Sequence, residues 1–477
     1  MQIQFEAHDR SLQLTREFSA YHASWWHEYS PLPGVLSSLC NCTAHHDRSS
    51  SGGRTSQGAH LSSQSPTTQA TAASSLDDDS RSRGREFLAA AAALSPRLID
   101  LRRRLHAQPE IGLMLPNTQA SVLAELDGLD LEVTLGERTT SIVAVLRGAH
   151  PGPTVLLRGD MDALPVVEDN DLPYRSTNGA MHACGHDMHT AGLVGAAHLL
   201  SGRRGDLHGD VLFMFQPGEE GHGGARVMIE EGALEASGSL PVAAYAVHVG
   251  PGVNGRFRTR SGPILGSSSV LGVTLTGSGG HGSRPHQGRD PVPALAEIIL
   301  ALQAMVTRRI DVLDPAVVSV TRVEASDAVN VLPERARLSA TVRTFSTETL
   351  EVVEAESRRI AAGIAYAHGL DVEVDFERSY PVTVTDPAET QRALATITTM
   401  FGHDRVESTM TPRFGSEDFS FVLDQIPGSY ILLGASPLHI DPATAAYSHS
   451  PDVLFDDALL ADQSALLAQL AWDRLHD

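Results

Sequence analysis

Four short apolar runs mark the middle of the chain: TSIVAVLRG (140–148), TVLLRGD (154–160), DVLFMFQPGEE (210–220) and AAYAVHVGP (243–251). Each is bounded by glycine or proline and has the length of a strand buried on both faces, where polar alternation disappears. Upstream, REFLAAAAALSPRLIDLRRRLHAQPE carries apolar residues at helical spacing and ends at a proline, which predicts one or two helices beginning near Glu86. TAGLVGAAHLLSG, between the second and third runs, predicts another helix. Strands separated by helical segments predict an α/β fold, a mixed sheet with helices on both faces.

The periodicity changes at about residue 268. SVLGVTLTG alternates as a strand, and DPVPALAEIILALQAMVTRR is a helix opened by prolines. AVVSVTRVEA and RARLSATVRTF alternate again, TETLEVVEAESRRIAAGIAYAHG is an amphipathic helix closed by Gly369, and LDVEVDFER is a last strand. The order β-α-β-β-α-β is that of a ferredoxin-like α+β unit. At roughly 110 residues it is large enough to fold by itself. Because SYILLGAS (429–436) returns to a buried strand, the smaller unit at 268–379 is expected as an insertion between two parts of a larger domain, 85–267 and 380–477. Residues 1–84 differ from the rest. RSSSGGRTSQGAHLSSQSPTTQATAASSLDDDSRSRGR has almost nothing to bury, so a disordered N-terminal extension is expected.

Composition narrows the function classes. A net charge of −22 leaves no basic excess to displace counterions, so neither nucleic acid nor an anionic membrane is expected as a partner. No eighteen apolar residues run together, and the N-terminus lacks a basic stretch followed by an apolar one, so neither a membrane span nor a secretory signal is expected. Three cysteines cannot build a disulfide framework, which fits a reducing, cytoplasmic compartment. Cys40 and Cys42, near His45 and His46, match no zinc spacing.

Candidate chemistry sits at the ends of the predicted strands: Asp160 and Asp162, then Glu219 and Glu220, then His248. Open α/β sheets place their sites there. MHACGHDMHT (181–190) adds Cys184 and His186, two apart across Gly185, and YSHSP adds His449. Thiolate, imidazole and carboxylate together suit Zn²⁺, Mn²⁺, Co²⁺ or Ni²⁺. Adjacent glutamates at a strand end point different ways, so one can be a ligand while the other acts as general base. Such a set around an open position suits a two-metal hydrolase. Taken singly, the same residues have blander readings: a buried core cysteine, a solvated pair of glutamates, a satisfied core histidine. His182 and His189 are read as supporting residues. A competing chemistry is a Cys184 nucleophile activated by His186, but it leaves the paired glutamates unexplained. No G-x-S-x-G elbow, Walker loop or dinucleotide fingerprint is present.

RGDMDALP, MHACGHDMHTA, FQPGEEGHGGARVMIEEGAL, HVGPG, GGHGSRPHQGRDPV and NVLPERARLSATVRTF, in this order across 86–477, resemble the motifs of the metal-dependent aminoacylase/carboxypeptidase amidohydrolases. That group includes hippurate hydrolases, N-acetyl-diaminopimelate deacetylases and indole-acetyl-amino-acid hydrolases. The resemblance implies an α/β catalytic domain with a ferredoxin-like lid that also dimerises. It implies two divalent metal ions per chain held by Cys184, His186, Glu220, His248 and His449, with Glu219 as general base and acid and Asp162 orienting a ligand. His281 would reach into a partner subunit's site to steady the oxyanion, and Asn330 and Arg343 would hold the substrate. Asp160 stands where related branches carry a metal histidine. Gly218 replaces a usual alanine, Ser141 a frequent glycine, and Met188, at a position often small, is expected to narrow the pocket. His439 competes with His449 for the last ligand position, and the HSP after AYS favours His449. The function implied is hydrolysis of N-acylated amino acids to a carboxylate and a free amino acid. A dipeptidase or aminopeptidase on the same scaffold, or a non-catalytic metal-binding member, is the alternative.

Overall fold

A computed structural model of the chain describes residues 78–407 and 410–477. Most of the expected disordered extension, with the Cys40, Cys42, His45 and His46 cluster, lies outside the described residues. Its last part does not: helix runs from Asp78, ahead of the start expected near Glu86, and continues unbroken to Ala107. Pro96 sits inside it, where a proline ordinarily kinks or ends a helix. Phe87 and Ala91 before the proline, and Leu98, Leu101 and Leu105 after it, are buried in one core, which carries the helix through.

The central sheet has seven strands in the order Glu132–Leu135, Ile142–Arg147, His208–Gln216, His150–Asp160, Ala243–Gly250, Gly428–Gly434 and Phe257–Arg258. The strands from His208–Gln216 through Gly428–Gly434 in that order run parallel, and those at either side are antiparallel, so the sheet is mixed. Successive residues feed two different cores. Ile142, Ala144, Leu157, Phe213, Tyr245 and Val247 pack under helices Asp78–Ala107, His186–Ser201 and Leu460–Leu475. Val143, Val145, Leu156, Leu212, Ala244 and Ala246 face Gly224–Glu230 and Ser420–Leu423 on the other side. Dry faces on both sides explain why these strands read as continuous apolar runs.

Residues 268–380 form a second, antiparallel sheet in the order Ala316–Glu324, Arg335–Thr344, Ser268–Thr276 and Asp371–Tyr380. Helices Pro291–Arg309 and Thr347–Ala367 pack on it through Leu271, Val273, Leu275, Ile298, Leu302, Leu338 and Val353. The first opens on Asp290, whose side chain accepts from Val292 N–H ahead of a proline in the first turn. By length and mean hydropathy that helix alone among the described residues could cross a membrane. Its buried side is already occupied by the sheet. The segments that lead into and out of this region, at Leu265–Ser268 and Ser379–Tyr380, line the main cavity.

Candidate active site

The loop before helix His186–Ser201 is built around Gly185, at φ +83°. A Cβ there would stand 2.4 Å from Val249 Cγ2, so only glycine lets the loop lie against the strand that carries His248. The helix starts at His186, four residues before the expected segment. Asp187 in its first turn explains this: its carboxylate meets Arg102 Nε at 2.7 Å and His106 Nδ1 at 2.8 Å, both from the first helix. Burial would raise the Asp187 pKa, but Arg102 and His106 hold it far below the usual carboxylate range.

Five donors converge beside this loop. Cys184 Sγ lies 3.6 Å from His248 Nε2, and His449 Nε2 lies 3.1 Å from Glu220 Oε1. Cys184, His186 and His248 form one group whose donor atoms lie within 4.8 Å of one another, and Cys184, Glu220 and His449 form a second, so Cys184 is shared. His248 donates from Nδ1 to its neighbour's carbonyl, Val249 O, at 2.6 Å, which leaves the Nε2 lone pair facing the group. Burial keeps that ring neutral, far below its ordinary pKa. Neither ring nitrogen of His186 has a hydrogen-bond partner although the ring is buried, and buried Glu220 Oε1 faces only imidazoles, His449 Nε2 at 3.1 Å and His186 Nε2 at 4.0 Å. Burial alone would lower the His186 pKa, yet Asp160 and Asp162 hold it well above normal. The centre therefore demands positive charge and offers unsatisfied S, N and O donors, which fits divalent metal ions.

The same surroundings weigh against a cysteine nucleophile. Burial pushes the Cys184 thiol up to about 12, only partly opposed by His186. A nucleophilic cysteine needs the opposite shift.

Asp162 ties the pieces together. Its two oxygens accept from Glu219 N–H (2.9 Å) and Glu220 N–H (3.1 Å), and Oδ1 faces His186 Nδ1 at 3.5 Å. Tyr380 donates its hydroxyl to the Glu219 carbonyl at 2.7 Å and accepts from Gly223 N–H at 3.0 Å. His449 N–H donates to Ala183 O at 2.9 Å, stitching the C-terminal loop beside Cys184. Beneath the donors lies a hub that sequence reasoning missed. Buried Arg158 reaches Asp160 Oδ2 (2.6 Å), Glu417 Oε1 (2.8 Å) and Asp418 Oδ1 (3.2 Å). Glu219 shares a buried acidic cluster with Glu417 and Asp418. Burial first, and then Glu417, Glu220 and Asp418, raise the Glu219 pKa well above the carboxylate range. The available signal was SEDFS (416–420), a run of acids in an apolar context.

Cys184, Glu219, Glu220, His248, His449 and Arg343 all line one cavity of about 550 Å³. Arg343 donates from Nη1 to Ser268 Oγ at 2.6 Å. His281 and Asn330 are not part of that cavity. They stand exposed on a two-stranded ribbon, Gly280–His281 with Val331–Leu332, where Gly282 N–H donates to Asn330 O at 2.8 Å. Met188 does not narrow the pocket; it is fully buried in the core under the central sheet. His189 is saturated, its Nδ1 on Asp160 at 2.5 Å and its Nε2 accepting from Val249 N–H at 2.8 Å. Asp160, engaged by Arg158 and His189, has the same role as an anchor. His439 is exposed and joins no donor group among the described residues. Gly218 sits at φ +73°, which glycine adopts without the strain an alanine would bring.

The sequence profile of peptidase family M20/M25/M40 matches residues 156–473. An N-acetylcysteine deacetylase of Bacillus subtilis is 35% identical over 382 residues, which cover 80% of this chain and 97% of that protein. A hippurate hydrolase of Campylobacter jejuni is 33% identical, covering 79% of this chain and 98% of that protein. Among solved structures, the Bacillus subtilis YXEP protein, described as a dinuclear metal binding peptidase, matches with a TM-score of 0.69 at 32% identity, over 80% of this chain and 99% of that one. The chain therefore belongs to peptidase family M20/M25/M40 and is a hydrolase.

Proposed function

We propose that this M20/M25/M40 chain is a metal-dependent amidohydrolase that cleaves N-acylated amino acids to a carboxylate and a free amino acid. The observation that carries the reading is the pair of donor groups sharing Cys184, with Glu219 beside them in the same cavity as Arg343. Cys184, His186, Glu220, His248 and His449 would hold two divalent ions, Zn²⁺, Mn²⁺, Co²⁺ or Ni²⁺. When bound, such ions act as Lewis acids and make water nucleophilic at neutral pH. Glu219 takes the proton from the attacking water and delivers it to the departing amine nitrogen as the amide C–N bond breaks. Burial and the neighbouring acids raise its pKa, which helps the carboxylate to hold the proton it has taken before passing it on. Asp162 fixes the backbone of both glutamates and faces the His186 ring. Arg343 offers a fork for the α-carboxylate.

His281 and Asn330 lie away from their own chain's cavity, which fits service to the cavity of a second copy in a homodimer built through residues 268–379. Mixing Glu219→Gln with His281→Ala protomers then restores part of the activity that each has lost. The reducing-compartment reading stays with this proposal and places the enzyme in the cytoplasm. A dipeptidase would need an acidic group for a free α-ammonium. Among the described residues, the one further acid that lines the cavity, Glu417, is already engaged by Arg158 and Tyr430, whereas Arg258, Arg343 and Arg413 line it as well, which favours the N-acyl reading. The test is release of free amino acid from N-acetyl, N-benzoyl and indole-acetyl amino acids by Mn²⁺- or Zn²⁺-loaded protein, with and without chelator. Chelator-sensitive release that Glu219→Gln abolishes with metal retained supports the enzyme. Silence across the panel with two metals bound per chain favours the dipeptidase first, and the non-catalytic binder if peptides also fail.

A further inference from the structure

The cavity has a second chemical end. Arg258 and Arg413 line it together with Arg343, in addition to the cysteine and histidine donors. All 36 basic residues of the chain are arginine, so the residue type carries no signal; the placement does. The other buried guanidiniums are matched: Arg102 with Asp187 at 2.7 Å, and Arg158 with three carboxylates. Those of the cavity are not. Arg258 is 13% exposed, and its nearest acid, Glu407, stands 3.9 Å away, beyond hydrogen-bonding reach. Arg413 makes no ion pair among the described residues, and Arg343 is engaged only by Ser268 Oγ and the Val342 carbonyl. Burial, and then the neighbouring Arg413 charge, press Arg258 below its usual pKa, as expected where two cations share one place.

The backbone holds this end at a fixed distance from the donors. His248 is in register with Leu432, and Leu432 with Arg258. The three side chains therefore leave the sheet in a row on one face, and two strand spacings put the Arg258 backbone about 10 Å from that of His248. Arg413 is pinned by its main chain, donating to Ile264 O at 3.1 Å and accepting from Gly266 N–H at 3.0 Å. The long arginine side chain itself covers part of that separation, and a short side chain or acyl chain that ends in a charge covers the rest.

We propose that the cavity is built for a substrate with a second carboxylate, which Arg258 and Arg413 bind while Arg343 holds the α-carboxylate. This rests on the amidohydrolase reading and narrows its substrate class. The second carboxylate has two possible sources: the side chain of a dicarboxylic amino acid, or the far end of a dicarboxylic acyl group. A charge-assisted arginine fork distinguishes either from a neutral chain of equal length.

The experiment compares N-acetylglutamate, N-acetylaspartate, N-succinylmethionine and N-acetylmethionine on metal-loaded protein. At least one dianionic substrate is expected to exceed N-acetylmethionine at least tenfold in kcat/KM. Arg258→Met and Arg413→Ala are each expected to reduce that ratio at least tenfold. Excess for the N-acetyl dicarboxylic amino acids places the second carboxylate on the amino acid; excess for N-succinylmethionine places it on the acyl group. A wild-type ratio near one, or variants that keep the ratio, overturns the inference and leaves the amidohydrolase reading standing. No release from any substrate overturns both. Titration calorimetry on Glu219→Gln protein gives a readout free of turnover: glutarate is expected to bind at least tenfold more tightly than butyrate, and equal binding refutes the second-carboxylate site.

Discussion

Replacing Gly185 by alanine tests whether the donor loop is held by close approach to the His248 strand. Two effects add. An alanine at φ +83° costs roughly 1–2 kcal/mol in the left-handed region. Its Cβ would stand 2.4 Å from Val249 Cγ2, well inside the contact optimum of about 3.5–4.0 Å, and forcing such overlap in a packed core costs about 1–3 kcal/mol. Gly185→Ala is therefore expected to lose about 2–5 kcal/mol, read from urea unfolding of the metal-free protein by circular dichroism. It should also lower the metal retained after dialysis, because Val249 carries both the carbonyl that orients His248 and the N–H that holds His189. Val249→Ala removes the clashing methyl at a cavity cost of its own, so the decisive quantity is the double-mutant coupling. The double variant should be less destabilised than the sum of the singles by about 1–3 kcal/mol. Strict additivity would show that the strain lies in the backbone alone and that the loop is not wedged against this strand.

Three further outcomes follow from the buried charges. Arg158→Met leaves Asp160, Glu417 and Asp418 without their counterion and should cost about 3–5 kcal/mol in denaturant unfolding; a loss below about 1 kcal/mol contradicts the hub. In the metal-free protein, Cys184 with a pKa of about 12 is only about one part in 10⁴ thiolate at pH 8, so peptide mapping should find slow alkylation by iodoacetamide there. Fast modification of Cys184 revives the nucleophile. For His106, burial lowers the pKa but Asp187 more than offsets it, so the folded value is raised. The stabilisation is then complete below the unfolded value of about 6.5 and drains as pH rises through the folded one, whereas the Asp187 share drains only in acid. The thermal midpoint of metal-free protein should fall from neutral to alkaline pH, and Asp187→Asn should flatten that fall; an equal fall in the variant counts against the pair.

The sheet strands and the second α+β region were legible because burial on two faces and burial on one leave different periodicities. The runs at 142–147 and 243–250 are unbrokenly apolar, while Arg335–Thr344 alternates. The start of the helix at His186 was not legible, since histidine and aspartate are weak helix formers and the stabilising partner, Arg102, lies far away in sequence. Strand ends marked most of the donor cluster, because a polar residue just past a buried strand has few structural reasons to be there. Arg158, Glu417 and Asp418 escaped notice for a related reason. Charges inside apolar segments reveal their purpose only when their partners are seen, and these are separated by more than 250 residues. Arg258 and Arg413 were hidden in the same way, since no spacing links them.

His449 shows how the site is held against local preference. It is a non-glycine residue at φ +72°, one of two such among the described residues, and a hydrogen bond from its N–H to Ala183 O keeps it there. Its side chain is half-exposed, so its 3.1 Å approach to Glu220 contributes little to folding by itself. The backbone strain is thus not repaid by the imidazole in the metal-free protein. Removing the imidazole in two ways separates the terms. His449→Ala keeps a Cβ at positive φ, whereas His449→Gly relieves about 1–2 kcal/mol of strain and gives back about 0.5–1 kcal/mol in unfolded-chain entropy. Metal-free His449→Gly should therefore be more stable than His449→Ala by roughly 0.5–1 kcal/mol, and both should bind less metal than the parent protein. If the alanine variant proves the more stable, the loop does not hold a strained conformation. If either keeps full metal content, His449 is not a ligand, and His439 would have to be reconsidered despite its distance from every donor group.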